Sequence, residues 1–296
     1  MNDLRITSLD EMIGQANIIE RIKISVESAK MRNDSLAHIL LSGNAGLGKT
    51  SLAMAIAHEM GTGIEIGNGA SISNIKDMLP YLARINDDTK ILFIDEIHRL
   101  NKKTSETLYT VLEDFYLCLG KKKQMTMELP KFTFIGATTH AGILTQPMRD
   151  RFGLKYTLEL YSDEDLKNIL AQSAAKLKFP IEEDALIAIA AASRGVPRRA
   201  NNNPMWTRDY VLSQDIKKCD AQVVFSALKL AGIEPDGLDG NDKKYLAVLE
   251  KNNGPVGVKT IESMSGITGE TLQAIVEPFL LRTGRVAISK RGRYLA

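Results

Sequence analysis

The stretch GNAGLGKT, residues 43–50, concentrates more chemistry than any other part of the chain. It fits the spacing G-x-x-x-x-G-K-[ST] at every fixed position. Gly43, Gly46 and Gly48 let the backbone turn closely, so that successive N–H groups point at one anion. Lys49 adds a point charge for the β- and γ-phosphates of a nucleotide, and Thr50 offers a hydroxyl to Mg²⁺. A chance glycine turn would lack the flanking pattern found here. HILLS (38–42) is a short apolar run before the loop, and TSLAMAIAHEM (50–60) carries helix signals after it.

Other segments carry groups that suit the same chemistry. ILFIDE (91–96) reads as a buried strand ending in two acids. At a sheet edge beside the loop, Asp95 would hold Mg²⁺ through its water shell, and Glu96 would polarise an attacking water. IGATTH (135–140) ends a further strand, which brings Thr138 or Thr139 towards the γ-phosphate; we take Thr139 as the sensing residue. Plain β-propensity would also explain a threonine pair. PMRDRFG (147–153) places two arginines around an aspartate at a helix end. Arg151 there suits stabilisation of charge on a neighbour's nucleotide, which requires a ring or filament of subunits. Surface ion pairing is the competing reading. In SRGVPRRANNNP (193–204), Pro197 suits a helix's first turn, and Arg198 then faces phosphate from a helix start. Arg199 reads as solvated or ion-paired, and Pro204 removes one backbone donor.

These groups need elements to hold them. Apolar positions at helical spacing mark 16–31, 71–85 (with Pro80 a predicted interruption) and 104–115. Strands are expected at 38–42, 90–95, 131–138 and 155–160. Such alternation implies an α/β fold, a parallel sheet between helices. LCLGKKKQMTMELP (117–130) reads as an inserted β-hairpin. Beyond residue 160 the strands stop, and helices at 162–177, 181–193 and 219–231 make an all-α module. GIEPDGLDG (232–240) is a turn-rich linker. Helical patches at 241–251, 258–265 and 269–278 precede a basic apolar/polar stretch, which suggests a winged helix. The expected segments are 1–160, 161–234 and 235–296.

Composition narrows the class. The chain has 296 residues, 44% hydrophobic and 25% charged, with a net charge of +2. Residues 281–296 hold five basic side chains and no acid, a pattern that suits a polyanion or a solvated tail. Two cysteines and four histidines show no metal-ligand spacing. The N-terminal residues lack the apolar core of a signal peptide, and no apolar run approaches the ~20 residues needed to span a bilayer. A cytoplasmic protein with no membrane partner is expected.

Taken together, GNAGLGKT, LFIDEIHRL, EDF, IGATTHAGILTQPMRDRFG and SRGVPRRAN resemble the RuvB family of Holliday-junction motors among the AAA+ ATPases. LDEMIGQ near the start and GPVGVKTI and EPFLLRTGRV…RGR near the end extend the resemblance over nearly the whole chain. The resemblance implies an AAA+ P-loop NTPase core, an α-helical lid and a C-terminal winged helix. It implies a homohexameric ring around duplex DNA, driven by ATP with Mg²⁺. A RuvA-like junction-binding protein and a RuvC-like resolvase are the implied partners. Nucleotide contacts carry over to Leu4, Arg5, Gly46, Gly48, Lys49, Thr50, Ser51, Glu113, Asp114, Phe115, Tyr161 and Arg198, with Arg151 as the arginine finger. Metal contact falls on Thr50 and Asp95, and DNA contact on Arg291 and Arg293.

The chain departs from the family pattern in several places. Asn44 and Ala45 stand where two prolines are usual, at positions that supply backbone. The hairpin is short and carries Lys121–Lys123, where the family docks on its partner through apolar residues. Gly269 and Ile288 replace DNA-contacting arginines, and NNNP (201–204) replaces a basic, apolar helix. A clamp-loader or initiator-like switch, or a non-catalytic nucleotide-binding copy, would share parts of this pattern.

Overall fold

A computed structural model describes residues 6–119, 125–252 and 254–296. The chain groups into two compact units. The first holds Met1–Asp165 together with Val196–Arg198; the second holds Leu166–Gly195 and Arg199–Ala296.

The first unit begins with helix α1 (Ala16–Arg32), whose Ile19, Ile22, Val26 and Ala29 are buried at helical spacing. Strands β1 (Ile39–Ser42), β2 (Gly63–Asn68) and β3 (Thr89–Asp95) follow, with α2 (Lys49–Met60) and α3 (Ile75–Leu82) between them. Then come α4 (Lys102–Asp114), an antiparallel hairpin of β4 (Tyr116–Leu119) and β5 (Met125–Glu128), β6 (Thr133–Thr138), α5 (Gln146–Asp150) and β7 (Leu154–Thr157). The hairpin tip at residues 120–124, with Lys121–Lys123, lies outside the described residues.

The sheet has five parallel strands in the order β2-β3-β6-β1-β7. Its central strands are apolar on both faces: every residue of β6 is buried, as are Ile91 to Ile94 of β3. A strand covered by helices on both sides has no polar face, so its sequence runs apolar without alternation. Two features differ from the sequence expectation. GIEIGN forms β2, an edge strand in which two glycines and a glutamate hide the strand signal. Pro80 lies inside α3 without ending it. The carbonyl that it frees belongs to Lys76, an exposed residue, so the lost bond is not stranded in the core.

The second unit contains the helices α6 (Asp163–Leu177), α7 (Glu183–Ala192), α8 (Pro197–Ser213) and α9 (Ala221–Leu230) for most of their lengths. The NNNP tract lies within α8, which runs on for two further turns past Pro204. Asn201 accepts a hydrogen bond from the Ser173 hydroxyl (2.8 Å), and buried Asn203 donates to Ser193 Oγ (3.3 Å). The asparagines therefore stitch α8 to its neighbours. Next come α10 (Gly240–Glu250), α11 (Val258–Ser265), and α12 (Gly269–Thr271), which continues through one π-helical stretch into α13 (Glu277–Arg282). Strands β8 (Val286–Ser289) and β9 (Gly292–Leu295) pair antiparallel, and a bridge joins Val256 to Arg293. Three helices and a terminal hairpin around Tyr245, Ile261, Leu272 and Leu280 give a winged helix.

Arg194 knits this unit together. Its guanidinium is buried, pairs with Asp242 and Asp239, donates from Nε to the Gly237 carbonyl (2.6 Å) and lies 4.1 Å over the Phe279 ring. A buried cation needs this full set of partners to offset its desolvation.

His38, just before β1, makes the first unit sensitive to acid. Its Nδ1 accepts from the Phe134 N–H (3.0 Å), so Nε2 carries the proton and donates to the Leu112 carbonyl (2.9 Å). Burial pushes the imidazole below its ordinary value. The unfolded chain then takes up a proton that the folded unit resists, so stability falls as pH drops through about 6.5. Burial shifts His98 the same way. Melting temperature should fall between pH 7 and pH 5, and His38→Gln should flatten that slope; an unchanged slope in the variant would refute the assignment.

Candidate nucleotide site

The carboxyl ends of β1, β3 and β6 lie along one edge of the sheet, with Ser42 opposite Thr138 and Ile94 opposite Gly136. Ligands of open parallel sheets bind at this edge. The loop 43–48 leaves β1 here and enters α2, with Lys49, Thr50 and Ser51 in the helix's first turn. Lys49 is only 6% exposed, and its Nζ donates to the carbonyls of Gly43 (2.7 Å) and Asn44 (3.0 Å). Burial lowers its pKa, Asp95 and Glu96 oppose that shift, and Arg198 adds to it. These four charges therefore share one electrostatic environment around the loop.

Gly46 takes φ +83°, a conformation that favours glycine. A methyl there would lie 2.8 Å from Arg198 Cβ and 2.9 Å from Val196 Cγ1. The Arg198 N–H donates to the Gly46 carbonyl (3.2 Å). The start of α8 is thus laid directly on the loop. Tyr161 supports it as well: its hydroxyl donates to the Leu47 carbonyl (3.2 Å), and burial pushes its pKa up to about 12. Beside Tyr161 opens a cleft of about 510 Å³, lined by Gln15, Asn17, Thr157, Glu159 and Asp165. Gln15 fixes its wall, donating to the Glu159 carbonyl (2.7 Å) and accepting from the Glu159 N–H (3.2 Å).

Asp95 ends β3, and its Oδ1 accepts from the Glu96 N–H (2.9 Å). Glu96 adopts φ +50°, unusual for a residue with a side chain. Gly69 packs so closely on the Glu96 carbonyl that no Cβ fits between them. The Glu96 carboxylate then meets the end of β6. Oε2 accepts from the Thr139 hydroxyl (3.0 Å) and lies 3.4 Å from the Thr139 nitrogen. His98 Nδ1 is 3.1 Å from the same oxygen and 3.0 Å from Thr138 Oγ1. His140 Nδ1 lies 2.8 Å from Thr139 Oγ1. The histidines escaped sequence reasoning, because loop histidines without ligand spacing carry no signal. Gln15 and Val196 escaped it too, since their roles depend on chain segments far apart in sequence.

The remaining expected residues lie elsewhere. Arg151 pairs with Glu113 (2.9 Å) and lies 5.4 Å over the Tyr109 ring, with its buried Nε unpartnered. Asp114 ends α4, and Phe115 beyond it packs edge-on against Phe132 (5.7 Å). Leu4 and Arg5 lie outside the described residues. In the winged helix, Arg291 is exposed at the β8–β9 turn. Arg293 instead donates from Nε and Nη2 to buried Glu277 (2.9 and 3.2 Å), which also accepts from Tyr245.

Family profiles cover this whole arrangement. The Holliday junction DNA helicase RuvB P-loop domain matches residues 4–158, the RuvB AAA lid domain 161–234 and the RuvB C-terminal winged helix domain 235–296. This chain belongs to the RuvB family. The Holliday junction branch migration complex subunit RuvB of Kosmotoga olearia is 42% identical over 297 residues, covering 98% of this chain and 86% of its own. The same subunit of Rhodopirellula baltica is 40% identical, covering 98% and 81%. The solved Thermotoga maritima RuvB Holliday junction branch migration motor superposes with a TM-score of 0.88 at 37% identity, covering 99% of this chain and 96% of that one. The fold is therefore the RuvB-type AAA+ core, lid and winged helix.

The donor set suits a nucleotide-bound Mg²⁺ better than a protein-caged metal. No group of three or more metal-ligating side chains exists among the described residues. Thr50 lies in the first turn of α2 and Asp95 ends β3, a hydroxyl and a carboxylate of the kind that hold a cation which keeps most of its waters. Gly46→Ala should cost about 1–3 kcal/mol of local strain; to the extent that nucleotide binding requires the native loop, affinity measured by calorimetry should fall by about fivefold to 150-fold. Undiminished affinity would show that the Gly46–Arg198 approach is irrelevant to binding.

Proposed function

We propose that this chain is the ATP-hydrolysing subunit of a motor that drives Holliday junction branch migration. The observation that carries the reading is the glycine loop with Lys49 and the Asp95–Glu96 pair at the carboxyl edge of the sheet, with Arg198 bonded to the loop at Gly46, in a chain matched by RuvB family models over residues 4–158, 161–234 and 235–296. The loop N–H groups of Gly46 and Gly48, with Lys49, Thr50 and Ser51, hold the phosphates. The cleft beside Tyr161 receives the base; Leu4 and Arg5, which lie outside the described residues, are further nucleotide contacts on the strength of the family match. Thr50 and Asp95 would hold Mg²⁺, which when bound neutralises charge on the β,γ-oxygens. Glu96 orients the attacking water and takes its proton, Thr139 senses the terminal phosphate, and Arg198 reports on it through α8.

Arg151 points to a ring. Its partners are Glu113 and Tyr109, not the loop. Membership of the family supports Arg151 as a finger that completes a neighbouring subunit's site, with Glu113, Asp114 and Phe115 as further nucleotide contacts; within this chain Arg151 is ion-paired, as the surface reading also expected. A homohexamer around duplex DNA meets that requirement. Residues 1–160 then act as the engine, 161–234 as the lid and 235–296 as the DNA-gripping winged helix. Arg291, exposed at the hairpin turn, grips the phosphate backbone; Arg293 braces the same hairpin through Glu277 and presents its remaining donors to DNA. A RuvA-like junction-binding protein and a RuvC-like resolvase are the partners that this activity calls for.

The test is ATP turnover with and without duplex DNA. Wild-type turnover should rise with DNA, and Glu96→Gln should bind ATP normally while turnover falls at least ~100-fold. Wild-type turnover in Glu96→Gln would remove the water-orienting role.

A further inference from the structure

The carboxylate of Glu96 and the hydroxyl of Thr139 are 3.0 Å apart. A carboxylate can only accept, so the single Thr139 proton lies on that contact. His140 Nδ1, 2.8 Å from the same hydroxyl oxygen, must then carry a proton and donate it. The ring's orientation follows from this. The His140 backbone N–H donates to Thr138 Oγ1 (3.0 Å), and the ring lies 4.9 Å from that of His98, whose Nδ1 bonds the same Thr138 oxygen. One side of the Thr139 oxygen is therefore filled by a donor, and its proton is aimed at acceptors on the other side.

We propose that His140 is a positioning residue that acts through Thr139 on Glu96. It fixes the Thr139 hydroxyl so that its proton has two possible acceptors, the Glu96 carboxylate and the terminal phosphate of the nucleotide. When the phosphate accepts the Thr139 hydrogen bond instead, Glu96 Oε2 keeps one hydrogen bond fewer. The phosphate thus draws Thr139 off Glu96 and leaves that oxygen open to a hydrogen bond from the attacking water. Without the His140 donor only the Glu96 carboxylate holds the Thr139 hydroxyl, and phosphate binding no longer frees Glu96 as readily. Most of the proposed nucleotide contacts lie elsewhere, on the loop, Lys49, Arg198 and the cleft beside Tyr161, so nucleotide affinity changes little.

This inference rests on Glu96 as the water-orienting group. The experiment measures kcat, KM and nucleotide Kd for full-length His140→Ala, His140→Gln and His140→Asn, alone and with Thr139→Val. Asparagine places an amide N–H near the position of Nδ1; glutamine places its amide one bond further out. His140→Ala and His140→Gln should lower kcat about fivefold to tenfold, the effect of one hydrogen bond, with Kd within about twofold of wild type. His140→Asn should recover most of the lost turnover. In the Thr139→Val background, the His140 substitutions should have no further effect on kcat. Equal loss in His140→Asn and His140→Ala, or an undiminished loss after Thr139→Val, would overturn the proposal. So would a fall in affinity that matches the fall in kcat. If Glu96→Gln itself keeps full turnover, the underlying reading fails instead, so the two failures are distinguishable.

Discussion

The parallel register of β1, β3 and β6 is the constraint on which this molecule depends. Ser42 stands opposite Thr138, and Ile94 opposite Gly136. The phosphate loop, the Asp95–Glu96 pair and the Thr138–Thr139 pair therefore leave the sheet at one edge. Because β3 and β6 are buried on both faces, their apolar residues hold that register strongly. A polar edge so rich in charge gains little stability of its own; the core beneath it keeps the charges in place. Backbone geometry completes the work at two points, Gly46 under Arg198 and Gly69 against Glu96.

A second constraint links the site to the rest of the chain. Val196–Arg198 belong to the first unit, while the residues on either side belong to the second. Arg194 and Arg199, which bracket that segment, both reach Asp239. Arg194 is the deeply buried one, held also by Asp242 and the Phe279 ring. Few covalent bonds therefore separate Arg198 from side chains paired with the segment 235–296.

Much of this was legible in the sequence, for physical reasons. The phosphate loop announces itself because few residue types fit its geometry, and long apolar runs mark buried parallel strands. Arg199 proved ion-paired, as its sequence setting suggested. The failures follow a pattern. β2 was hidden because an edge strand tolerates glycine and glutamate. The NNNP tract stood out only as a departure from the family pattern; Asn201 and Asn203 find partners on other helices that local propensity does not encode. Arg194, His98 and His140 owe their importance to residues distant in sequence, and a single chain read locally carries no trace of those contacts.

The central claim is that hydrolysis at this sheet edge moves DNA. The most direct measurement follows a mobile four-way junction with fluorophores on opposing arms, mixed with the protein, a junction-binding partner and either ATP or a non-hydrolysable analogue. The arms should separate with ATP and stay together with the analogue. Steady ATP hydrolysis with stationary arms, at every ratio of protein to junction, would contradict it.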